Sequence, residues 1–241
     1  MNDFPEVARA VIDVIENDIV TQPRTLQATI GPSEIGIDCL KCLTRKLAGY
    51  AEPSRPDWLP YVGTAVHAQL ATAFEKVGEW VPEMPLHIGY LGGEQIKGTC
   101  DLYHPPSGTV VDFKVVGETT LKAARKQQVS NQYVVQAQCY GRGWDLLTGT
   151  VTKVAICYLP RNKPKLDTAV WVEFDYDPEP VYAAFRRAGS ILDLINEGGA
   201  ENTIAMFEGA PGCYSCLRYD PSGYRTGFED LFQQNIQGDP Q

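Results

Sequence analysis

The sequence predicts an α/β protein whose core is a mixed β-sheet flanked by helices. Helical patterns occur at about 61–77, 131–147 and 178–196. Strand-like runs lie between them, at 84–90, 94–103, 109–116, 151–159 and 169–176. A Pro-Pro-Ser-Gly stretch at 105–108 separates two of these runs and predicts a β-hairpin. Helices before and after a block of strands are typical of this class.

The N-terminal part precedes this block. Apolar residues at helical spacing predict an amphipathic helix over about 4–20. Ser33 is a candidate N-cap for a segment that runs through two cysteines to Tyr50. A proline-rich linker is expected at 53–60, before the first helix of the main block.

The length of 241 residues suits one large domain with added segments. Basic helical sequence at 121–128 follows the hairpin, and the tail from Gly198 is rich in glycine, proline and tyrosine. We expect three parts: an N-terminal helix over 1–30, a main domain over 31–217 that ends just after the last cysteine, and a C-terminal tail over 218–241.

The formal net charge of −9 provides no general electrostatic attraction to nucleic acid, so such binding requires a local basic patch. The first residues carry no cationic n-region, and no apolar run approaches the length that spans a bilayer. We therefore expect a soluble, intracellular protein, cytoplasmic in a bacterial or phage-infected cell.

The predicted hairpin brings two carboxylates together. If its turn is symmetric, Asp101 faces Asp112 across the ladder, where opposed Cβ atoms lie about 5 Å apart. Side chains alternate along a strand, so Lys114 shares the face of Asp112. Two carboxylates at that distance repel unless a cation lies between them. The pattern indicates a divalent metal site with a lysine beside it, although an isolated Asp-x-Lys is more often an exposed strand surface.

Three further side chains fit such a site. His67, four residues after Gly63 on a predicted helix, would be a third ligand that favours Mn²⁺ over Mg²⁺. The small Gly63 would let another chain segment approach that helix face. Gln136 and Tyr140 share a helix face and can bind a phosphate or a carboxylate. The alternatives are an ordinary core histidine and an ordinary helix surface.

Two basic clusters follow the hairpin and would suit the track of a nucleic-acid backbone. The alternative for each is a solvated surface. The clusters are Lys122, Arg125 and Lys126, and then Arg161, Lys163 and Lys165.

Four of the seven cysteines form two CxxC pairs, Cys39/Cys42 and Cys213/Cys216. With no secretion signal, metal ligation is favoured over disulfides, and four thiolates suit either zinc or a 4Fe–4S cluster. Because the pairs bracket the main domain, a shared metal would close a very long loop and act as a structural staple. The alternative is four buried or unrelated thiols.

The order of these motifs resembles the RecB-like branch of the PD-(D/E)xK nuclease superfamily. The resemblance covers about 31–217 and implies a restriction-endonuclease-like core. The motifs are Gly63…His67, Gly98…Asp101, Asp112-Phe113-Lys114 and Gln136…Tyr140, preceded by Gly31-Pro32-Ser33-Glu34 and Cys42-Leu43-Thr44-Arg45-Lys46.

The resemblance implies a role for each residue of these motifs. Lys114 would be the catalytic lysine, and Gln136 and Tyr140 would support the site or contact DNA. Glu83 lies where some members carry an acidic residue after the histidine helix. The ligands of Mn²⁺ or Mg²⁺ would be His67, Asp101, Asp112 and the Phe113 carbonyl.

The cysteines resemble those of the iron–sulfur members, which include CRISPR-associated RecB-like exonucleases, the AddB nuclease domain and related phage exonucleases. Those members join one cysteine before the core to three after it. This chain has two on each side, and Ser222 lies where the last cysteine is expected. The resemblance implies a 4Fe–4S cluster on Cys39, Cys42, Cys213 and Cys216, with structural zinc as the alternative.

The implied function is that of a metal-dependent DNA exonuclease. It would hydrolyse phosphodiester bonds in single-stranded DNA or at DNA ends, in recombination, repair or phage replication, with recombination or CRISPR-type proteins as candidate partners. Two alternatives stay open: a catalytically inactive nucleic-acid-binding module of the same fold, and a zinc-stapled protein-interaction domain.

Overall fold

A computed structural model describes residues 5–22, 30–50 and 56–219. None of the helices in these ranges is long and apolar enough to cross a bilayer. The strands are β1 (Val81–Leu91), β2 (Glu94–His104), β3 (Thr109–Val116), β4 (Lys153–Pro160) and β5 (Val170–Asp175). The helices are α1 (Glu6–Thr21), α2 (Pro32–Ile35), α3 (Leu40–Leu47), α4 (Trp58–Glu75), α5 (Glu118–Arg125), α6 (Asn131–Thr148), α7 (Glu179–Gly198), α8 (Ala200–Met206) and α9 (Tyr214–Tyr219).

The strands of the described region form one five-stranded mixed sheet in the order β1-β2-β3-β4-β5. β3 and β4 are parallel, and the other neighbouring pairs are antiparallel. A parallel pair needs a crossover connection, which α5 and α6 supply. The predicted α/β class, with a central mixed sheet flanked by helices, is confirmed.

The larger hydrophobic core lies between the sheet and α6 and α7. Ile88, Val110 and Ile156 are fully buried in it. Trp144 of α6 stacks on Tyr103 of β2, with ring centroids 4.2 Å apart. This packing holds α6 firmly on the sheet, so the polar side chains along α6 have fixed positions.

A smaller core lies on the opposite face of the sheet, under α4. Leu102, Val111 and Phe113 are buried there, on the face that strand alternation predicts for them. Phe74 of α4 stacks on Phe113 with ring centroids 6.0 Å apart. α4 therefore rests on β3 beside the Asp-x-Lys motif.

The hairpin between β2 and β3 has the predicted symmetric register. Leu102 pairs with Val111, and His104 pairs with Thr109. A short 3-10 turn covers Pro105–Ser107, and Gly108 follows it at φ 62°. Glycine adopts this left-handed conformation without steric cost, which is why it ends the turn.

Two local predictions are wrong. Ser33 is not an N-cap, because α2 is capped by Gly31, whose amide donates to the Glu34 carboxylate at 2.9 Å. The predicted linker extends too far, because α4 begins at Trp58 and tolerates Pro60 within its first turn. The segment from Gly198, for which no element was predicted, contains α8 and α9. Residues 51–55 and 220–241 lie outside the described residues.

Candidate functional site

An open cleft of about 610 Å³ is lined by α2, α4, α6 and strands β1, β2 and β3. α6 packs on one face of the sheet and α4 on the other, and both present side chains to this cleft. The cleft collects most of the residues that the sequence motifs single out. They are His67, Glu83, Gly98, Asp101, Asp112, Lys114, Gln136 and Tyr140.

The Asp101 carboxylate lies where the two strands of the hairpin separate. The paired ladder ends at Leu102 and Val111, one position before the two aspartates would be opposed. Asp101 instead accepts a hydrogen bond from the Phe113 amide, at 2.7 Å through Oδ2. Its other oxygen lies 3.1 Å from Nδ1 of His67. These two contacts fix the carboxylate between β3 and α4.

His67, Glu83 and Asp101 form a compact group of possible metal ligands, whose donor atoms all lie within 4.8 Å of one another. Glu83 has a φ of 47°, an uncommon backbone conformation for a non-glycine residue within a strand. Such conformations cost free energy and cluster at functional sites. Glu83, the weakest of the acidic candidates by sequence, is thus brought to the same point as the two stronger ones.

Asp112 lies beside this group, but its carboxylate is not one of the donor atoms that all lie within 4.8 Å of one another. Its side chain is 1% exposed, and Oδ2 lies 2.7 Å from Nζ of Lys114. Burial raises the pKa of the Asp112 carboxyl to about 6, against the lowering effect of Lys114 and with a further raising effect from Asp101. Because burial disfavours its ionised form, the Asp112 carboxylate would be stabilised by a further cation beside it.

The pKa of His67 is raised as well. Burial lowers the pKa of His67, but the hydrogen bond and charge of Asp101 outweigh burial, so the net pKa is raised. A metal that binds this ring would compete with its proton.

Lys114 is held in place by a network from α6. Its Nζ donates to Oε1 of Gln136 at 2.8 Å and lies 4.9 Å from the ring centre of Tyr133. Gln136 in turn donates through Nε2 to the hydroxyl of Tyr140 at 3.3 Å. Gln136 and Tyr140 thus meet Lys114 at the cleft. Tyr133 was missed, although its spacing of three residues before Gln136 predicts a shared helix face.

The two glycines of the motifs have different roles. A Cβ at Gly98 would lie 2.5 Å from Cγ of Pro32 and 3.1 Å from Cε1 of Tyr140, so the close approach of α2 and α6 requires glycine there. A Cβ at Gly63 would meet nothing within 4 Å among the described residues. No described segment packs on Gly63, so its predicted role in close packing stays a prediction.

A second cleft, of about 630 Å³, continues beside the first. Gly63, Phe113, Tyr133 and Arg161 line it, and it shares His67 with the first cleft. The Phe113 ring lies edge-on to His67, with centroids 6.2 Å apart. The two clefts together form a groove that passes the candidate metal ligands.

The predicted basic clusters lie mostly outside this groove. Lys122, Arg125 and Lys126 are exposed and are not among the residues lining either cleft. Arg125 pairs with Glu118 at 3.2 Å and donates to the Thr168 carbonyl. Of the second cluster, Arg161 lines the groove. The other two members do not: Lys163 pairs with Glu118 at 3.4 Å, and Lys165 is exposed.

The four paired cysteines form a second group, remote in sequence from the first. Their sulfur atoms all lie within 4.8 Å of one another. The Sγ atoms of Cys39 and Cys216, and those of Cys42 and Cys213, are 3.6 Å apart, while those of Cys42 and Cys216 are 3.2 Å apart. The predicted joining of the N- and C-terminal segments through these four cysteines is confirmed, and the group is suited to hold a metal.

The environment of Cys39 favours a thiolate. Burial raises the pKa of its thiol, but hydrogen bonds from the amides of Ala210 and Cys42, with contributions from neighbouring thiols, lower it overall to about 7. Metals bind the thiolate form of cysteine. One member of the group is therefore readily ionised near neutral pH.

No family model and no curated protein matches the sequence. An alkaline exonuclease from Laribacter hongkongensis is similar in structure, at 9% identity over 80% of this chain and 95% of that one, with a TM-score of 0.49. Its complex with dAMP is similar at 14% identity, 74% and 91% coverage and a TM-score of 0.48. A phage-related exonuclease from Haemophilus somnus is similar at 15% identity, 64% and 81% coverage and a TM-score of 0.45. The function of this chain has to be argued from its own site.

Proposed function

We propose that the protein is a metal-dependent DNA exonuclease that hydrolyses phosphodiester bonds in single-stranded DNA or at DNA ends. The observation that carries the proposal is the group of His67, Glu83 and Asp101 beside the buried Asp112–Lys114 pair, all in one open cleft. We assign the activity to a RecB-like nuclease domain over 31–217 that acts in recombination, repair or phage replication, in the cytoplasm of a bacterial or phage-infected cell.

The donor set suits a hard or borderline divalent ion. Carboxylate oxygens are the ligands that Mg²⁺ and Mn²⁺ prefer, and an imidazole nitrogen shifts the preference toward Mn²⁺. Asp101, Glu83 and His67 would hold the ion, with Asp112 and the Phe113 carbonyl as further candidates. When bound, such an ion polarises the scissile phosphate and lowers the pKa of bound water.

In addition to the charge of a bound metal ion, the side chain of Lys114 places a positive charge at the cleft. Its ammonium group is held between the Asp112 carboxylate and the Gln136 amide oxygen, at 2.7 and 2.8 Å. A fixed ammonium aimed at a phosphate stabilises the negative charge that develops in the transition state. Gln136 and Tyr140 act as positioning residues, because they contact Lys114 directly or through one another.

The groove supports a polynucleotide substrate. Its two clefts share Ser33, Thr64, His67, Lys114 and Gln136, so a strand lying along both would pass the metal ligands. Arg161 lines the second cleft and can bind a phosphate of that strand. The open shape suits an extended chain rather than a small enclosed ligand.

The test is cleavage of end-labelled single- and double-stranded DNA by the purified protein with Mn²⁺, Mg²⁺ or EDTA. Asp112→Asn and Lys114→Gln are compared with Lys153→Gln. Lys153 is a matched control because it is a half-exposed lysine that pairs with Glu173 and is absent from both cleft linings.

We expect metal-dependent shortening from an end that is lost in both cleft variants and kept in the control. Binding of DNA without cleavage under any metal would point instead to an inactive binding module. Neither binding nor cleavage would point to a protein-interaction domain stapled by its cysteines.

A further inference from the structure

We propose that the four-cysteine group holds a single tetrahedral zinc ion rather than a 4Fe–4S cluster. The resemblance of the sequence to iron–sulfur nucleases implies a cluster, but the positions of the sulfur atoms disagree with it. The proposal is independent of the nuclease activity, because it rests on the geometry of Cys39, Cys42, Cys213 and Cys216 alone.

The sulfur–sulfur distances match one central ion. Zinc lies about 2.3 Å from each thiolate in a tetrahedral site, which separates the sulfurs by about 3.8 Å. The Sγ atoms of Cys39 and Cys216 lie 3.6 Å apart, as do those of Cys42 and Cys213. A slight expansion of these distances, and of the 3.2 Å between the Sγ atoms of Cys42 and Cys216, completes a tetrahedral site for one ion.

The same distances leave no room for a cluster. The thiolates of a 4Fe–4S cluster each bind a different iron, so its sulfur ligands point away from one another around four irons and four sulfides. The four sulfurs here all lie within 4.8 Å of one another. Even a regular tetrahedron with that edge has its centre about 2.9 Å from each corner, a space for one ion.

The surroundings of the sulfurs oppose expansion toward a cluster. The Ala210 amide donates to Cys39 Sγ at 3.3 Å. A Cβ at Gly209 would lie only 3.0 Å from Cys216 Sγ, so the backbone of 209–210 packs directly on two of the ligands. Spreading the sulfurs to the corners of a cluster would require this segment to move away.

α9, which carries Cys216, is also fixed against the N-terminal cysteine segment. The Arg45 guanidinium lies 4.4 Å from the ring centre of Tyr219, and the Tyr219 hydroxyl donates to the Tyr50 carbonyl at 3.0 Å. These contacts hold the two CxxC segments at a separation that suits one shared ion.

Zinc is the ion of choice for such a site. Four thiolates in tetrahedral geometry suit zinc or iron, and zinc binds a given site more tightly than Fe²⁺ does. Structural zinc sites have four protein ligands and no open position, as in this buried group. The closed ligand set also excludes substrate from the ion, so its role is to hold the fold.

The test uses the full chain, purified without oxygen from cells supplied with both zinc and iron. Zinc, iron and acid-labile sulfide are measured per chain, and X-ray absorption gives the neighbours of the bound metal. We expect about one zinc, no sulfide, four sulfur neighbours at about 2.3 Å and no metal–metal neighbour. The measurement on the wild-type protein does not depend on the folding of any variant.

A pair of variants assigns the metal to these ligands. Cys42→Ser should lose most of the bound zinc, whereas Cys157→Ser should keep it, because Cys157 is a half-buried thiol on β4 outside the group. Four irons with four sulfides per chain would overturn the proposal. A single iron without sulfide, or a metal-free protein with disulfides between these cysteines, would overturn it equally.

Discussion

Two clusters of side chains can be compared. The first, called the carboxylate group below, is His67, Glu83 and Asp101 with the adjacent Asp112–Lys114 pair. It differs from the cysteine group of Cys39, Cys42, Cys213 and Cys216 in exposure and in donor chemistry. The side chains of His67 and Asp101 are 21% and 12% exposed and face an open cleft, with Glu83 more exposed beside them. Cys39 and Cys42 are 4% and 2% exposed and are surrounded by other sulfurs and backbone. An open set of nitrogen and oxygen donors suits chemistry on a substrate, and a closed set of four sulfurs suits structure.

The two groups also differ in how far apart their members lie in the sequence. The carboxylate group comes from α4 and the adjacent β1–β3 meander, within about one quarter of the sequence. The cysteine group joins residues as far apart as Cys39 and Cys216, which are 177 positions apart. Loss of the first group should therefore stop the reaction, and loss of the second should loosen the whole fold.

The largest expected effect is on stability, at the cysteine group. Because a cross-link over this loop removes about 5 kcal/mol of chain entropy from the unfolded state, Cys42→Ser should lower the free energy of unfolding by up to that amount. Urea unfolding followed by far-UV circular dichroism measures the change, with Cys157→Ser as the control. Unchanged stability in Cys42→Ser would show that the group is not a staple.

The second effect is on rate, at the carboxylate group. Lys114→Gln should lower the cleavage rate by about 10²–10³-fold, since it removes a fixed charge that stabilises the transition state. Asp112→Asn should also be inactive, yet it should not lower the free energy of unfolding near neutral pH, because burial already disfavours the Asp112 carboxylate. Full activity in either variant would exclude this cleft as the active site.

The third effect concerns the packing that shapes the cleft. Gly98→Ala should lower the free energy of unfolding by about 1–3 kcal/mol, because the new methyl group overlaps Pro32. Gly189→Ala in α7 is the matched control, since its Cβ would meet no atom of the described residues within 4 Å and alanine favours helix. Thermal unfolding compares the two, and equal stability of both variants would contradict the close contact of α2 with β2.

The smallest effect is a pH dependence confined to the carboxylate group. The pKa of Asp112 is raised from 3.8 to about 6 and that of His67 is also raised, so protons compete with a metal at both groups as the pH falls. The affinity for Mn²⁺ should increase by up to about tenfold per pH unit and per displaced proton as the pH rises through the pKa of Asp112. Calorimetric titration at several pH values measures it.

The same shifts fix the sign of a stability change in metal-free protein. A carboxyl group with a raised folded-state pKa stabilises the fold fully below its unfolded value, and this contribution is lost as the pH rises through the folded value. Asp112 should therefore make the metal-free protein less stable as the pH increases from about 4 to above 6, and Asp112→Asn should remove that trend. A trend of the opposite sign would show that the charge of Lys114 outweighs the burial of the Asp112 carboxylate.

Local patterns predicted the parts of the site that short-range geometry determines. The symmetric turn before Gly108 sets the register of β2 and β3, and with it the approach of Asp101 to Asp112. The proximity of Cys39 and Cys216 was predicted from ligand chemistry. One CxxC pair supplies only two of the four ligands of a metal site, so two such pairs at the ends of a domain are expected to come together.

Other features depend on contacts between distant segments, which local patterns do not contain. The positive φ of Glu83 has no signal in the sequence. Gly98 is required by Pro32 and Tyr140, whereas Gly63, in an equally regular motif, meets no described atom. The sulfur–sulfur distances that separate zinc from a cluster are likewise set by the packing of α9 on α3.

The most direct test of the account measures the cleavage rate and the unfolding free energy on the same three proteins: wild type, Lys114→Gln and Cys42→Ser. With Mn²⁺ present and at a temperature where each protein is folded, Lys114→Gln should lose the rate and keep its stability. Cys42→Ser should lose stability and keep its rate per folded molecule. If Lys114→Gln cleaves DNA at the wild-type rate, or if none of the three cleaves DNA with any metal, the assignment of chemistry to the carboxylate group is wrong.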